Sequence, residues 1–304
     1  MKQAASALVS LGLLVGAIGP ARSDSIYWTN LGTNDIRRAN FNGSGQQILV
    51  GGLPGPAGIV VDAGGGKMYW TDYGGGDIRR GNLDGTGQQT LVTGLPSPAG
   101  IDLDLVGAKM YWTDGGGDIR RANLDGTGSQ TLLTRLSGPR GLALDVANGK
   151  MYWAENVSGQ IRRANLDGSG LQTLQSVLPG PLGIDLDVAG GKMYWADGSG
   201  VRRANLDGSG RQTLVSGLPG PSGLALDLSG GKMYWTDFMG GDIERANLDG
   251  SGRETLVVGL TDPPLLTVDS RIAPVPEPGT LLLLGISIFG SAGYALLRRR
   301  LSVT

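Results

Sequence analysis

The sequence predicts an all-β chain folded as a six-bladed β-propeller and closed by its own C-terminal strand. Three observations predict it. A tryptophan recurs at Trp28, Trp70, Trp112, Trp153, Trp195 and Trp235, at intervals of 42, 42, 41, 42 and 40 residues, which is the period of a propeller blade. Each period holds four short strand-like runs separated by Gly, Pro, Asn and Asp, enough for one blade of four antiparallel strands. The strand count is also out of phase: the first tryptophan has no innermost strand before it, and a spare innermost strand follows the last.

Taken in chain order, residues 1–23 read as a secretory signal peptide, with Lys2 in the basic region, an apolar run, and Ala21 or Ser23 as a small residue for cleavage. Residues 24–272 are the propeller. In its second copy, strand A is Ala57–Asp62, strand B Lys67–Asp72, strand C Asp77–Leu83 and strand D Gln88–Val92. Strand A recurs at Ala57, Ala99, Arg140, Leu182 and Ser222, each followed by Gly, and a sixth copy ends at Asp269. The segment Pro263–Asp269 is therefore expected to supply the inner strand of the blade that begins at Ile26, closing the ring. Strand B is expected to bury Met68 and Trp70 on one side and Tyr69 on the other, because strand side chains alternate and a blade is covered on both faces.

Composition limits the chemistry. The chain has 55 Gly, 15 Pro, 40% apolar and 17% charged residues, and neither histidine nor cysteine. That excludes a Ser-His-Asp or Cys-His nucleophile, a Cys/His zinc site, an imidazole base and any disulfide. Between residues 24 and 272, 21 Lys and Arg stand against 26 Asp and Glu, so no basic field draws nucleic acid. No cofactor is expected.

Residues 273–304 form a linker and a three-part tail. Pro276, Glu277 and Pro278 precede an apolar run from Leu281 to Leu297 and then Arg298, Arg299 and Arg300. The run is just long enough to cross a bilayer as a helix, about 281–297, with the arginines holding its end in the cytoplasm. This tail resembles the PEP-CTERM sorting signal of Gram-negative bacteria. The resemblance implies processing by an exosortase, transient anchoring in the inner membrane, and delivery to the cell surface or to an exopolysaccharide biofilm matrix. The repeat itself, with YWTD followed by an IxRAxLDG and a PxGLAxD phrase, resembles the low-density-lipoprotein-receptor class B, or YWTD, propeller. The second arginine of each pair (Arg38, Arg80, Arg121, Arg163, Arg203, Arg245) falls on that family's Arg. The flanking cysteine-rich modules of such receptors are missing, so their endocytic role is not expected.

The repeated polar phrases have structural readings. The Asn-Leu-Asp-Gly phrase beginning at Asn82 is expected to be a C–D hairpin turn with Asp-Gly at positive φ, since a calcium loop in that frame puts Arg80 at the first ligand position. The aspartates that end strand A, such as Asp62, are expected in Asx turns. Paired arginines are expected to form ion pairs between blades. Asp102 and Asp185, inside strand A near the axis, are candidates for a cation but are read as facing channel water. A ligand rarely has sixfold symmetry, so a binding site is sought where the copies differ. Tyr73, Glu155, Asn156, Phe238 and Met239 in B–C loops and Arg140 at the start of strand A share one face of the ring and are the expected binding residues. The expected function is a non-catalytic binding or scaffolding module with a surface protein or polysaccharide as ligand. The alternative is a gluconolactonase-like calcium-dependent hydrolase working in the channel.

Overall fold

The computed structural model of the protein describes residues 24–198 and 200–269. The expected signal peptide, the helix over 281–297, Pro276, Glu277, Pro278, Arg298, Arg299 and Arg300 lie outside the described residues. Among the described residues twenty-four strands form six antiparallel sheets of four. In blade 2, strand A is Pro56–Asp62, B Lys67–Asp72, C Asp77–Asn82 and D Gln89–Val92. Blade 1 is built from both ends of the ring: Leu266–Asp269 is its strand A and pairs with Ser25–Asn30, placing Leu266 opposite Trp28 and Asp269 opposite Ser25. Blades 3 to 6 follow blade 2 in sequence, with strand A at Pro98–Asp104, Pro139–Asp145, Pro181–Asp187 and Pro221–Asp227.

Six apolar clusters fill the six seams between blades. Each combines the Tyr of one strand B with the Trp of strand B in the next blade: Tyr27 with Trp70, Tyr69 with Trp112, Tyr111 with Trp153, Tyr152 with Trp195, Tyr194 with Trp235, and Tyr234 with Trp28. All six tryptophans are completely buried. Each hides roughly 150–250 Å², worth about 4–6 kcal/mol at 25 cal/mol per Å². The last seam joins blade 6 to blade 1 with the same chemistry, so the ring closes without a distinct clasp.

At the axis the strands approach closely enough to require glycine. A Cβ on Gly100 would lie 2.2 Å from the carbonyl oxygen of Arg140 in the next blade, and one on Gly58 would lie 2.1 Å from that of Ala99. The threonine of the YWTD phrase ties these strands together. Thr71 accepts the Gly58 N–H at 2.7 Å and donates to Ala99 O at 2.6 Å, and Thr113 does the same between Gly100 and Arg140. Blades 4 and 5 carry Ala154 and Ala196 instead, both fully buried. Ala154→Thr is therefore expected to gain about 1 kcal/mol by bonding Gly141 N–H and Leu182 O, seen as a higher denaturation midpoint at unchanged slope.

The arginine pairs divide their work differently from the expected ion pairs between blades. The first arginine binds a carboxylate of its own blade: Arg37 with Asp35, Arg79 with Asp77, Arg120 with Asp114 and Asp118, Arg162 with Glu155, and Arg202 with Asp197. In blades 2 to 6 the second stacks on its blade's tyrosine, as Arg80 does 5.8 Å from the Tyr69 ring centre, and donates to a backbone carbonyl of the next blade, here Leu124 O. Neighbouring residues on a strand face opposite ways, so only one of each pair reaches the adjoining blade. The C–D turns also differ in detail from expectation. Gly85, not Asp84, takes positive φ, while Asp84 accepts from the Thr86 N–H and hydroxyl. The strand-A aspartates do form the expected turns, Asp62 accepting from Gly65 N–H and Asp104 from Gly107 N–H.

Candidate ligand pocket at one mouth of the channel

A four-strand meander puts the B–C and D–A loops on one face of the ring and the A–B and C–D turns on the other. On the first face a cavity of about 480 Å³ opens at the axis, within the range of small-ligand sites. Its floor is the second position of strand A in blades 2 to 6, Ala57, Ala99, Arg140, Leu182 and Ser222, with Pro264 just ahead of strand A in blade 1. Tyr73, Asn156, Phe238 and Met239 form part of its rim. Five of the six expected binding residues thus meet at one place. The rim is held by backbone bonds: Tyr73 N–H donates to Gly55 O, Asn156 N–H to Gly138 O and Phe238 N–H to Gly220 O, at 2.7, 3.0 and 2.8 Å. Below the floor the channel narrows to about 50 Å³ between residues such as Ile59, Ile101, Leu142, Ile184 and Leu224.

The distribution of side chains around the mouth is uneven. Phe238 and Met239 belong to blade 6, Leu31 to blade 1 and Tyr73 to blade 2, so the apolar rim covers three consecutive blades. Arg140 and Asn156 sit on blade 4, directly across the ring from blade 1. Phe238 and Tyr73 are 41% and 40% exposed and Met239 is 76% exposed.

Glu155 departs from expectation. It is the last residue of strand B in blade 4 and its side chain is buried, accepting from the Trp153 indole N–H at 3.0 Å, the Ser158 hydroxyl at 2.9 Å and Arg162 at 3.1 Å. Those donors hold its carboxyl below the usual range against the opposing effect of burial. It is the counterpart of Asp72, Asp114, Asp197 and Asp237, and of Asn30 in blade 1. Among the lining residues not expected from the sequence are Leu31 and Leu182. Each stands out when its column is compared across blades, Leu31 beside Tyr73 and Phe238 in the loops and Leu182 beside Ala57 and Ala99 in strand A.

Asp102 and Asp185 each accept two backbone N–H bonds from inner strands. Asp102 accepts from its neighbour Leu103 N–H at 2.7 Å and from Leu144 N–H of blade 4 at 2.8 Å. Asp185 repeats this with Leu186 N–H and Leu226 N–H of blade 6. Inner strands have no further strand to pair with, and each carboxylate satisfies two of their N–H groups. Among the described residues no group of three His, Cys, Asp or Glu is placed to hold a metal ion. Burial pushes the Asp102 carboxyl up to about 7 and that of Asp185 to about 6, with the charge of Asp185 adding to the rise at Asp102 and the N–H donors opposing it. With folded values above the ordinary 3.8, the folded ring holds protons that the unfolded chain has released. The contribution to stability is then full below about pH 4 and is lost as pH rises to about 7. Relative to the parent, Asp102→Asn with Asp185→Asn is expected to melt at a progressively higher temperature between pH 4.5 and 7.5. A constant difference across that interval would contradict this.

Comparison with known proteins agrees with both parts of the chain. The PEP-CTERM protein-sorting motif matches residues 274–300, implying an exported protein sorted by an exosortase. No match was found among curated proteins. A chain of the nidogen–laminin complex superposes with a TM-score of 0.74 at 23% identity, covering 81% of this chain and 98% of that one. TolB from Acinetobacter baumannii gives 0.66 at 12% identity over 81% of this chain and 67% of its own. Virginiamycin B lyase from Staphylococcus aureus gives 0.58 at 17% identity over 78% and 82%. The chain is thus a six-bladed β-propeller, similar in fold to a chain of the nidogen–laminin complex, that carries a PEP-CTERM sorting motif over residues 274–300.

Proposed function

We propose that this protein is a non-catalytic binding module of the bacterial cell surface or extracellular matrix, engaging a surface protein or polysaccharide through its B–C face. One observation carries the reading: the residues at which the repeats differ converge on a single pocket, although they come from blades 2, 4 and 6. Elsewhere the seam-forming Tyr and Trp of strand B recur in every copy, as the packing between blades demands. Exposed aromatics and an arginine are the side chains that anchor interfaces.

Topology supports an outward-facing site. Strand A of blade 1 runs from the pocket face to the opposite face and ends at Asp269, and the sorting motif begins at residue 274. The tether to the envelope therefore leaves from the side away from the pocket. The test is capture of the host's own envelope proteins and exopolysaccharide by residues 24–272, beside a variant carrying Tyr73→Ala, Arg140→Ala and Phe238→Ala. Capture at least about tenfold weaker in the variant is expected, at unchanged melting temperature, because surface truncations cost little stability. Equal capture would remove the site from this face.

A further inference from the structure

The mouth has a chemical polarity of its own. Arg140 is the one charged residue lining the cavity, and its guanidinium has no hydrogen-bond or ion-pair partner among the described residues. Its backbone is fixed, since Thr113 of blade 3 donates to its carbonyl oxygen at 2.6 Å. The strand-A carboxylates Asp102 and Asp185 already accept two N–H bonds each. The other arginines of the ring with carboxylate partners show how readily this chain pairs one when it can. Asn156, also of blade 4, lines the same side of the mouth. Across the mouth stand Leu31, Tyr73, Phe238 and Met239.

We propose that the cavity binds a small amphipathic anion, a molecule with one carboxylate and an apolar body. The carboxylate pairs with Arg140 near Asn156, and the body lies across the mouth against Phe238, Met239 and Tyr73. A neutral apolar molecule leaves the guanidinium unpaired in a closing cavity, and a cation is repelled by it, so charge sign is the discriminating property. The volume of about 480 Å³ suits a ligand of this size, and the narrow neck beneath stops it from passing down the channel. The inference rests on the B–C face being the binding face and names what that pocket selects.

The test uses the propeller, whose ring closes within residues 24–269, with anilinonaphthalene sulfonate as a fluorescent probe and decanoate, decanol and decylamine as competitors. Saturable binding of one probe per chain is expected, displaced by decanoate about tenfold or more better than by decanol, and not by decylamine. Arg140→Gln is expected to weaken the probe and decanoate about tenfold while leaving decanol unchanged. Arg211→Gln, on the opposite face, is expected to change nothing, and melting curves of both variants establish that they are folded. The proposal is overturned if the probe does not bind, if decanol competes as well as decanoate, or if Arg140→Gln binds as the parent does. Loss of this result with envelope capture intact would overturn the anion site alone. Decanoate binding without envelope capture would overturn the surface-binding function alone.

Discussion

Deleting residues 263–269 is expected to abolish the cooperative unfolding transition of the ring. The segment contributes the whole of strand A in blade 1, and its removal bares Ser25–Asn30, every residue of which is buried in the closed form. Ile26 and Trp28 would then line an open edge, and the seam between blades 6 and 1 would lose Leu266. A propeller distributes its stability over its seams, so opening one also frees its neighbours to splay. The loss is expected to be on the order of 5 kcal/mol or more, comparable to the net stability of an ordinary domain. A bared apolar edge also invites pairing between chains, so the deleted protein is expected to aggregate. Circular dichroism and light scattering on heating measure both effects. A deleted chain that melts near the parent temperature and stays monomeric would show that the terminal strand does not close the ring.

Replacing one seam tryptophan should have the next largest effect. Trp112 is completely buried and packs on Tyr69, Ile101, Met110 and Ala122. Truncation to alanine removes its transfer free energy and leaves a cavity between two rigid sheets, costing about 3–5 kcal/mol. For a ring of this size that corresponds to a melting temperature lower by roughly 6–20 °C. Trp28→Ala at the closing seam is expected to cost as much, since Tyr234 stands to it as Tyr69 does to Trp112. A markedly smaller loss at Trp28 would mean that the closing seam is weaker than the others. Tyr73→Ala, on the rim, provides the contrast: it is expected to stay within about 0.5 kcal/mol of the parent.

The fold was legible in the sequence because a blade is a local object. Four strands and three turns fit within about 42 residues, and the period of Trp28, Trp70 and Trp112 reports that unit directly. Closure was legible for the same reason, since a missing strand A at one end matched a surplus one at the other. What escaped depends on how one blade lies on the next. Nothing in the local sequence says that the Asp102 carboxylate reaches Leu144 N–H in the following blade, or that Arg80 reaches Leu124 O while Arg79 stays within its own blade. Glu155 looked like part of a divergent loop, and only its burial against Trp153 and Arg162 shows it to be the strand's ordinary terminal carboxylate. The pocket was read in part: Tyr73, Arg140 and Phe238 stood out against glycine and alanine, whereas Leu31 and Leu182 were hidden as ordinary apolar residues.

The central claim is that one face of this ring is built to bind and the other to be tethered. Hydrogen exchange on the propeller, with and without the host's envelope and exopolysaccharide fraction, tests it most directly. Protection is predicted in peptides covering residues 73–76, 138–141, 156–159 and 238–241, with the C–D turns at 84–87 and 125–128 unchanged. Protection confined to those turns, or absent from both faces, would contradict the account.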